Sequence, residues 1–341
     1  MSSRSLCTAA LVLALVASFS ADRASAYCRM TTDGSSQIGE APCPTEGAPL
    51  YWKNPCLTYA IDYHGSAWMD FEDVESAVDQ SFASWENVDC DSREAQLNPA
   101  NPPNLIFKGL PSSDCRRAEF NTTGNVNTIA FLGSGDPGND SFQDPCSDEP
   151  YSSFAFAVTI VWHNTSTGEI LDADMMINDQ LATNRFAGGP YANCPDSGCP
   201  AGNPGEADLA SIVTHEAGHF IGIGHTEVDD ATMFASAART SIEKRTLDPD
   251  DIEAVCDIYP PDSGDLDQSC DWTPTGGLEL NCETDSAGDP IACDDPAAAP
   301  GGSSGCSATR TPADAPWAAL LASLLGLTWL RRRSARRDAR S

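Results

Sequence analysis

Histidine is nearly missing from this chain, with five in 341 residues, and basic side chains are scarce, 19 Lys and Arg against 50 Asp and Glu. No apolar run reaches the ~20 residues that a membrane-spanning helix needs. There is no CxxC pair of the zinc-ribbon kind, no complete EF-hand loop and no internal repeat of useful length. The shortage of cations is sharpest in the body of the chain. Residues 27–306 hold ten basic and forty-seven acidic side chains, a net charge of −37. Such a surface repels nucleic acid and anionic membrane, so neither is expected as a partner. It reads instead as a solvated acidic face that keeps an exported protein soluble.

The few histidines are not scattered. Three of the five lie in HEAGHFIGIGH, residues 215–225. Residues i and i+4 share one face of a helix, so His215 and His219 can point the same way. Asn203, Pro204 and Glu206 offer an N-cap, a first-turn proline and a capping-box acid. Leu209, Val213, Ala217 and Phe220 form an apolar stripe on the opposite side. Gly222 reaches left-handed backbone conformations at little steric cost, so the chain can leave the helix there and swing His225 back. Three neutral imidazoles leave a zinc ion one open position for water, as in catalytic rather than closed structural sites. Glu216, next to the first of them, is the candidate general base.

HEAGHFIGIGH resembles the HExxHxxGxxH signature of the metzincin zinc peptidases. Ala231-Thr232-Met233-Phe234 is similar to their Met-turn, and the resemblance implies that Met233 lies beneath the metal without binding it. Thr226 and the closing run RTLDPDDIEAVCDIYP (residues 245–260) resemble the matrixin branch. The branches that place a tyrosine ligand just after the methionine fit less well, because Phe234 follows Met233 and no Tyr appears before Tyr259. The resemblance covers residues 51–261. It implies an α+β, metzincin-like fold. Its parts are a mixed twisted sheet, a long helix, a zinc-site helix, and a small lower subdomain after the third His that ends in a C-terminal helix. It also implies a cleft whose upper rim is an edge strand pairing with extended substrate, and residues 154–163 are the candidate rim.

The rest of the chain organises around that domain. Arg4, the apolar run 6–19 and Ala24-Ser25-Ala26 have the parts of a secretory signal peptide over residues 1–26. A short Cys-containing segment, 27–50, follows. Within the domain, residues 57–62, 104–108, 126–132, 154–163 and 169–178 read as strands. Helical spacing of Val74, Val78, Phe82 and Trp85 predicts a helix over 71–88, and 248–259 reads as the last helix. Twelve cysteines between 28 and 293 are expected to form six bridges in an oxidising compartment, with connectivity open. His64 and His163, outside the motif, are expected at exposed strand ends. Asn121, Asn139 and Asn164 head N-x-S/T triplets.

Residues 262–305 are acidic, poor in apolar side chains and read as a Cys-containing spacer. Residues 306–341 combine Cys306, the apolar run 317–330 and, after it, six arginines in RRRSARRDAR. This pattern resembles the cysteine-containing sorting tails called MYXO-CTERM, which implies a processing enzyme and anchorage at the cell surface. A plain C-terminal membrane anchor is the alternative.

The expected function is therefore that of an exported or surface-anchored, monomeric zinc endopeptidase acting on protein or peptide substrates. The rivals are a non-catalytic adhesion or binding protein and a zinc amidase acting on cell-wall peptide. An intact Glu216 favours an enzyme. Calcium is a secondary expectation, with Asp172 and Asp174 or the loop 135–144 as its carboxylate donors. The PRCGxPD motif of matrixin prodomains is absent.

Overall fold

The computed structural model describes residues 26–33, 43–44, 46–133, 142–144, 150–182, 191–199, 206–238, 240–261, 270–282 and 306–308. Residues 1–25 of the signal-peptide pattern, Asn203 and Pro204, most of the loop 135–144, Asn139, Cys146, Cys293 and the tail beyond Ala308 lie outside them.

A short strand β1 (Cys28–Arg29) comes first, then β2 (Cys56–Ile61) and the helix α1 (Phe71–Glu86). A two-residue hairpin follows, β3 (Val88–Asp89) and β4 (Glu94–Ala95), and then β5 (Ile106–Gly109) and β6 (Thr128–Leu132). The longest strands are β7 (Ala157–Asn164) and β8 (Ile170–Asn178). A five-strand sheet has the order β7-β8-β6-β2-β5, with β7 antiparallel to β8 and the others parallel. This is the mixed α+β arrangement expected from the sequence. Parallel neighbours need crossovers, and α1 supplies the one between β2 and β5. β12 (Cys306–Ala308) adds to the outer edge of β7 opposite Trp162, His163 and Asn164. Among the described residues no helix is long and apolar enough to cross a membrane.

The inner face of the sheet carries the helices. Side chains alternate along a strand, so Ala157, Val161, Ala173, Met175 and Ile177 enter the main core, while Ile160 and Met176 fill a smaller cluster on the other face. α1 buries Val74, Val78, Phe82 and Trp85, as its spacing predicts. It stops at Glu86 because the chain turns into the β3–β4 hairpin. Two of its side chains donate across to the next helix, Ser81 Oγ to Ala210 O (3.0 Å) and Trp85 Nε1 to Thr214 O (3.0 Å). These bonds fix the position of α2 along α1 as well as its distance.

α2 (Leu209–Phe220) carries the histidine motif, with Leu209, Val213, Ala217 and Phe220 buried. Its cap is Asp208, whose carboxylate accepts from Ser211 N at 2.9 Å, five residues later than the sequence-based start at Asn203. The reason is tertiary. β9 (Tyr191–Ala192) and β10 (Ala207–Asp208) pair in parallel and hold Ala207 and Asp208 extended, and Arg245 binds the Asp208 carboxylate. β11 (Ile223–Gly224) follows, then α3 (Pro249–Ile258), capped by Asp248 in a full capping box.

Five disulfides account for ten of the twelve cysteines: 28–43, 56–270, 90–256, 115–282 and 194–199. Two of them alter the reading of the segment after the domain. Residues 270–282, expected within a spacer, are clasped to the sheet side of the domain by Cys56–Cys270 and Cys115–Cys282. Backbone bonds run from Gly124 N to Gly276 O (2.8 Å) and from Asp114 N to Leu280 O (2.9 Å). Lys108 lies over the Trp272 ring at 5.4 Å. The segment needs no core of its own because it borrows one edge of the domain.

His163 also departs from expectation. It is fully buried, because β7 continues past it to Asn164 and its side chain falls on the inner face. His64 is partly exposed, with Nδ1 at 2.9 Å from the buried Asp62 carboxylate.

Candidate metal centre

The last turn of α2 and the chain that leaves it form the site. His215 and His219 project from one face of the helix, and the turn at Gly222 brings His225 to them. His225 Nε2 is 3.1 Å from both His215 Nε2 and His219 Nε2. The other ring nitrogens set the tautomers. His215 Nδ1 donates to Thr232 O (2.6 Å) and His219 Nδ1 to Ile223 O (2.8 Å), so their Nε2 lone pairs face the centre. The His225 Nε2 joins these two lone pairs at one point, an arrangement that suits a cation between the three nitrogens. Burial pushes all three imidazoles toward the neutral form. It takes His219 down to about 4, His225 to about 2 and His215 well below its usual value, helped by Lys244. Neutral imidazole is the form that binds metal. The donor set fits a tetrahedral zinc with one position left for water.

Gly222 has φ +89°, and a Cβ there would stand 2.9 Å from Leu50 O. The turn therefore needs glycine on two counts, conformation and space. Its neighbours are held from outside the motif. Trp52 Nε1 donates to Phe220 O (2.8 Å), Tyr259 OH to Ile221 O (2.9 Å) and Met30 N to Gly222 O (2.9 Å), while β1 pairs antiparallel with β11. These donors satisfy carbonyls that a helix end leaves open. Thus residues 28–30, part of the short Cys-containing segment 27–50, form a strap over the loop between His219 and His225.

Met233 lies under α2. The space where a Cβ on Gly218 would be is taken by Met233 Sδ at 2.2 Å and Trp85 Cζ2 at 2.9 Å. The Met-turn is held by α3, where Asp251 accepts from Thr232 N (2.7 Å) and Met233 N (3.0 Å). Lys244 closes it from the other side, donating to Thr232 O (2.8 Å) and Phe234 O. Burial pulls the Lys244 ammonium down to about 8, while Asp251 and Glu216 favour its charge.

Glu216 is 6 % exposed and points to the sheet rather than to solvent at large. Its Oε2 accepts from Thr159 Oγ1 of β7 at 2.7 Å. Burial raises its carboxyl to about 7, opposed by that hydrogen bond and by Lys244. A buried carboxylate beside three convergent imidazoles is equipped to take and return a proton.

Thr159, Lys244 and Asp251 escaped the sequence reading. Thr159 had one weak signal, a lone hydroxyl in the apolar run AFAVTIVW. Asp172 and Asp174, nominated for calcium, are both fully buried and already engaged. Asp174 accepts from Glu119 N (2.9 Å) and Thr128 N (2.7 Å), and Asp172 from Asn125 Nδ2 (2.7 Å). Asp172 Oδ2 is buried without another donor, and burial pushes both carboxyls up, Asp174 further through the like charge of Asp172. Among the described residues the only other cluster with metal-ligand atoms is Asp114–Cys115–Cys282, whose cysteines are bridged to each other.

The family model for matrixin matches residues 51–260. A stretch of 52 residues is 42% identical to metalloendoproteinase 5-MMP of Arabidopsis thaliana, covering 15% of this chain and 14% of that protein. A stretch of 54 residues is 41% identical to metalloendoproteinase 1-MMP of the same organism, 16% of this chain and 15% of the relative. The chain thus spans less than a sixth of the length of these curated relatives.

Proposed function

Because the chain belongs to the matrixin family, we propose that it is a zinc-dependent endopeptidase, exported and held at the cell surface, that hydrolyses internal peptide bonds. The observation that carries this reading is the convergence of three Nε2 atoms beside the buried Glu216 carboxylate. His215, His219 and His225 would hold zinc, which when bound lowers the pKa of a water molecule and polarises the scissile carbonyl. Glu216 takes the proton of the attacking water at its carboxylate and delivers it to the departing amine. Hydrogen bonds from His215 Nδ1 to Thr232 O and from His219 Nδ1 to Ile223 O keep both rings turned to the centre.

Substrate binds as an extended strand along the outer edge of Ala157 to Val161. That part of the β7 edge is unpaired among the described residues, since β12 covers only 162–164. Export is supported by the signal-peptide pattern and by the disulfides, which persist in oxidising compartments. Surface retention is supported by the composition of the tail, from Cys306 to the terminal arginines.

The test is digestion of a denatured proteome with mass-spectrometric mapping of new termini, for wild type and Glu216→Gln, alongside elemental analysis. The expected result is one zinc per chain in both proteins, cleavage by the wild type and a loss of about 10²–10⁴ in rate for the variant. A folded wild type that holds no zinc or cleaves nothing overturns the reading.

A further inference from the structure

We infer that Thr159 is the positioning residue for the general base, its hydroxyl holding one oxygen of the Glu216 carboxylate so that the other faces the reacting water. This rests on the endopeptidase reading above. It adds a residue outside the HExxHxxGxxH motif, on a different secondary-structure element, to what that motif needs.

The inner row of β7 is Ala157, Thr159, Val161 and His163, all buried. Ala157 and Val161 belong to the main apolar core, so a hydroxyl between them is costly to bury unless it is bonded. The bonds it makes go to one residue only. Thr159 Oγ1 lies 2.7 Å from Glu216 Oε2 and 3.2 Å from Glu216 O. In return, the Thr159 hydroxyl is the one hydrogen-bond donor that the Glu216 carboxylate has among the described residues. Among the described residues Glu216 Oε1 has no hydrogen-bond partner, yet it is not one of the orphaned atoms shut off from solvent. One oxygen is thus anchored to the sheet, which leaves the other for the reacting water, on the residue that directly follows His215.

A threonine suits this task better than a longer donor would. Its branched side chain has few rotamers in a strand, and β7 is fixed by its pairing with β8 along nearly its whole length. The carboxylate is thereby tied to the sheet while its backbone rides on α2. The strand that supplies the hydroxyl is also the strand whose outer edge is proposed to pair with substrate. A misplaced base is expensive in rate, since an error near 1 Å in a reacting group can lower turnover about a hundredfold.

The test uses full-length protein loaded with zinc: wild type, Thr159→Val, Thr159→Ser, Glu216→Gln and the double variant Thr159→Val/Glu216→Gln. Valine keeps the shape and removes the donor, and serine restores it. Each is assayed for kcat and KM on one peptide cleaved by the wild type, and for zinc affinity by chelator competition. The expected result for Thr159→Val is a kcat lower by about tenfold to a hundredfold, with KM and zinc affinity unchanged within twofold. Serine should recover most of the loss. In the Glu216→Gln background Thr159→Val should change nothing further, because the base it positions is gone. If Thr159→Val keeps wild-type kcat, or if it lowers the residual rate of Glu216→Gln by the same factor, the hydroxyl is structural only and the inference falls. A wild type that binds zinc but cleaves no peptide would instead overturn the peptidase reading itself.

Discussion

Replacing Gly218 by alanine tests whether the space beneath the zinc helix is as full as the structure implies. Taken alone, alanine should help, since a mid-helix Gly costs about 1 kcal/mol relative to Ala. The surroundings oppose this. The new Cβ would come within 2.2 Å of Met233 Sδ and 2.9 Å of Trp85 Cζ2. Trp85 cannot retreat, being wholly buried and bonded through Nε1 to Thr214 O at 3.0 Å. Met233 must therefore move by an ångström or more, and it too is buried, in a turn pinned by Asp251 and Lys244. Overpacking of this kind costs about 1–3 kcal/mol. The net expectation is a loss of up to about 2 kcal/mol, a melting temperature lower by up to roughly 8 °C for a domain of this size. Because Thr232 O in the same turn orients His215, zinc affinity should fall as well. Urea unfolding, thermal melting and chelator competition read these effects. Met233→Ala alone should cost about 2–4 kcal/mol through its cavity, and the double variant should cost clearly less than the sum, as expected for residues sharing one space. A Gly218→Ala protein more stable than wild type with unchanged zinc affinity would refute the packing argument. Strict additivity of the two changes would refute it equally.

Asp172→Asn should gain stability over wild type as pH rises. Burial lifts the native Asp172 carboxyl to about 8 from 3.8, so its contribution is complete below about pH 4 and is lost as pH climbs through the native value. The difference in melting temperature, variant minus wild type, should be roughly 3 °C or more larger at pH 8 than at pH 5, and a constant difference would count against a protonated pair. Ending the chain at residue 261, with Cys56 and Cys115 replaced by serine, removes two bridges that close loops of 214 and 167 residues. Each such bridge contributes about 2–4 kcal/mol, so unfolding should occur in clearly milder urea, and an unchanged midpoint would show that the clasp is ornamental. Stripping zinc with a chelator should lower the unfolding free energy by about 4 kcal/mol when the comparison is made at free zinc a thousandfold above its Kd. Equal melting curves with and without metal would exclude His215, His219 and His225 as a tight site.

The sequence alone determined the features that depend on local spacing. The apolar rows of α1 and α2 were readable because a buried face repeats every 3.6 residues. The glycine at 222 was readable because a sharp exit from a helix favours the one residue without a Cβ. The grouping of His215, His219 and His225 follows from the same local rules. Contacts made across the chain left no comparable mark. Asn203-Pro204 looks like a better helix start than Asp208, yet Arg245, 37 residues away, and the pairing with Tyr191–Ala192 decide where α2 begins. Residues 270–282 have the composition of a spacer, and only the partners of Cys270 and Cys282, at Cys56 and Cys115, make them part of the domain. His163 looks like a strand end, and the continuation of β7 buries it. Thr159 stands 57 residues from Glu216, and nothing in either neighbourhood names the other. A hydrogen bond between distant residues is specified by the packing of whole elements, α2 against the inner face of β7, and that information exists only once the chain has folded.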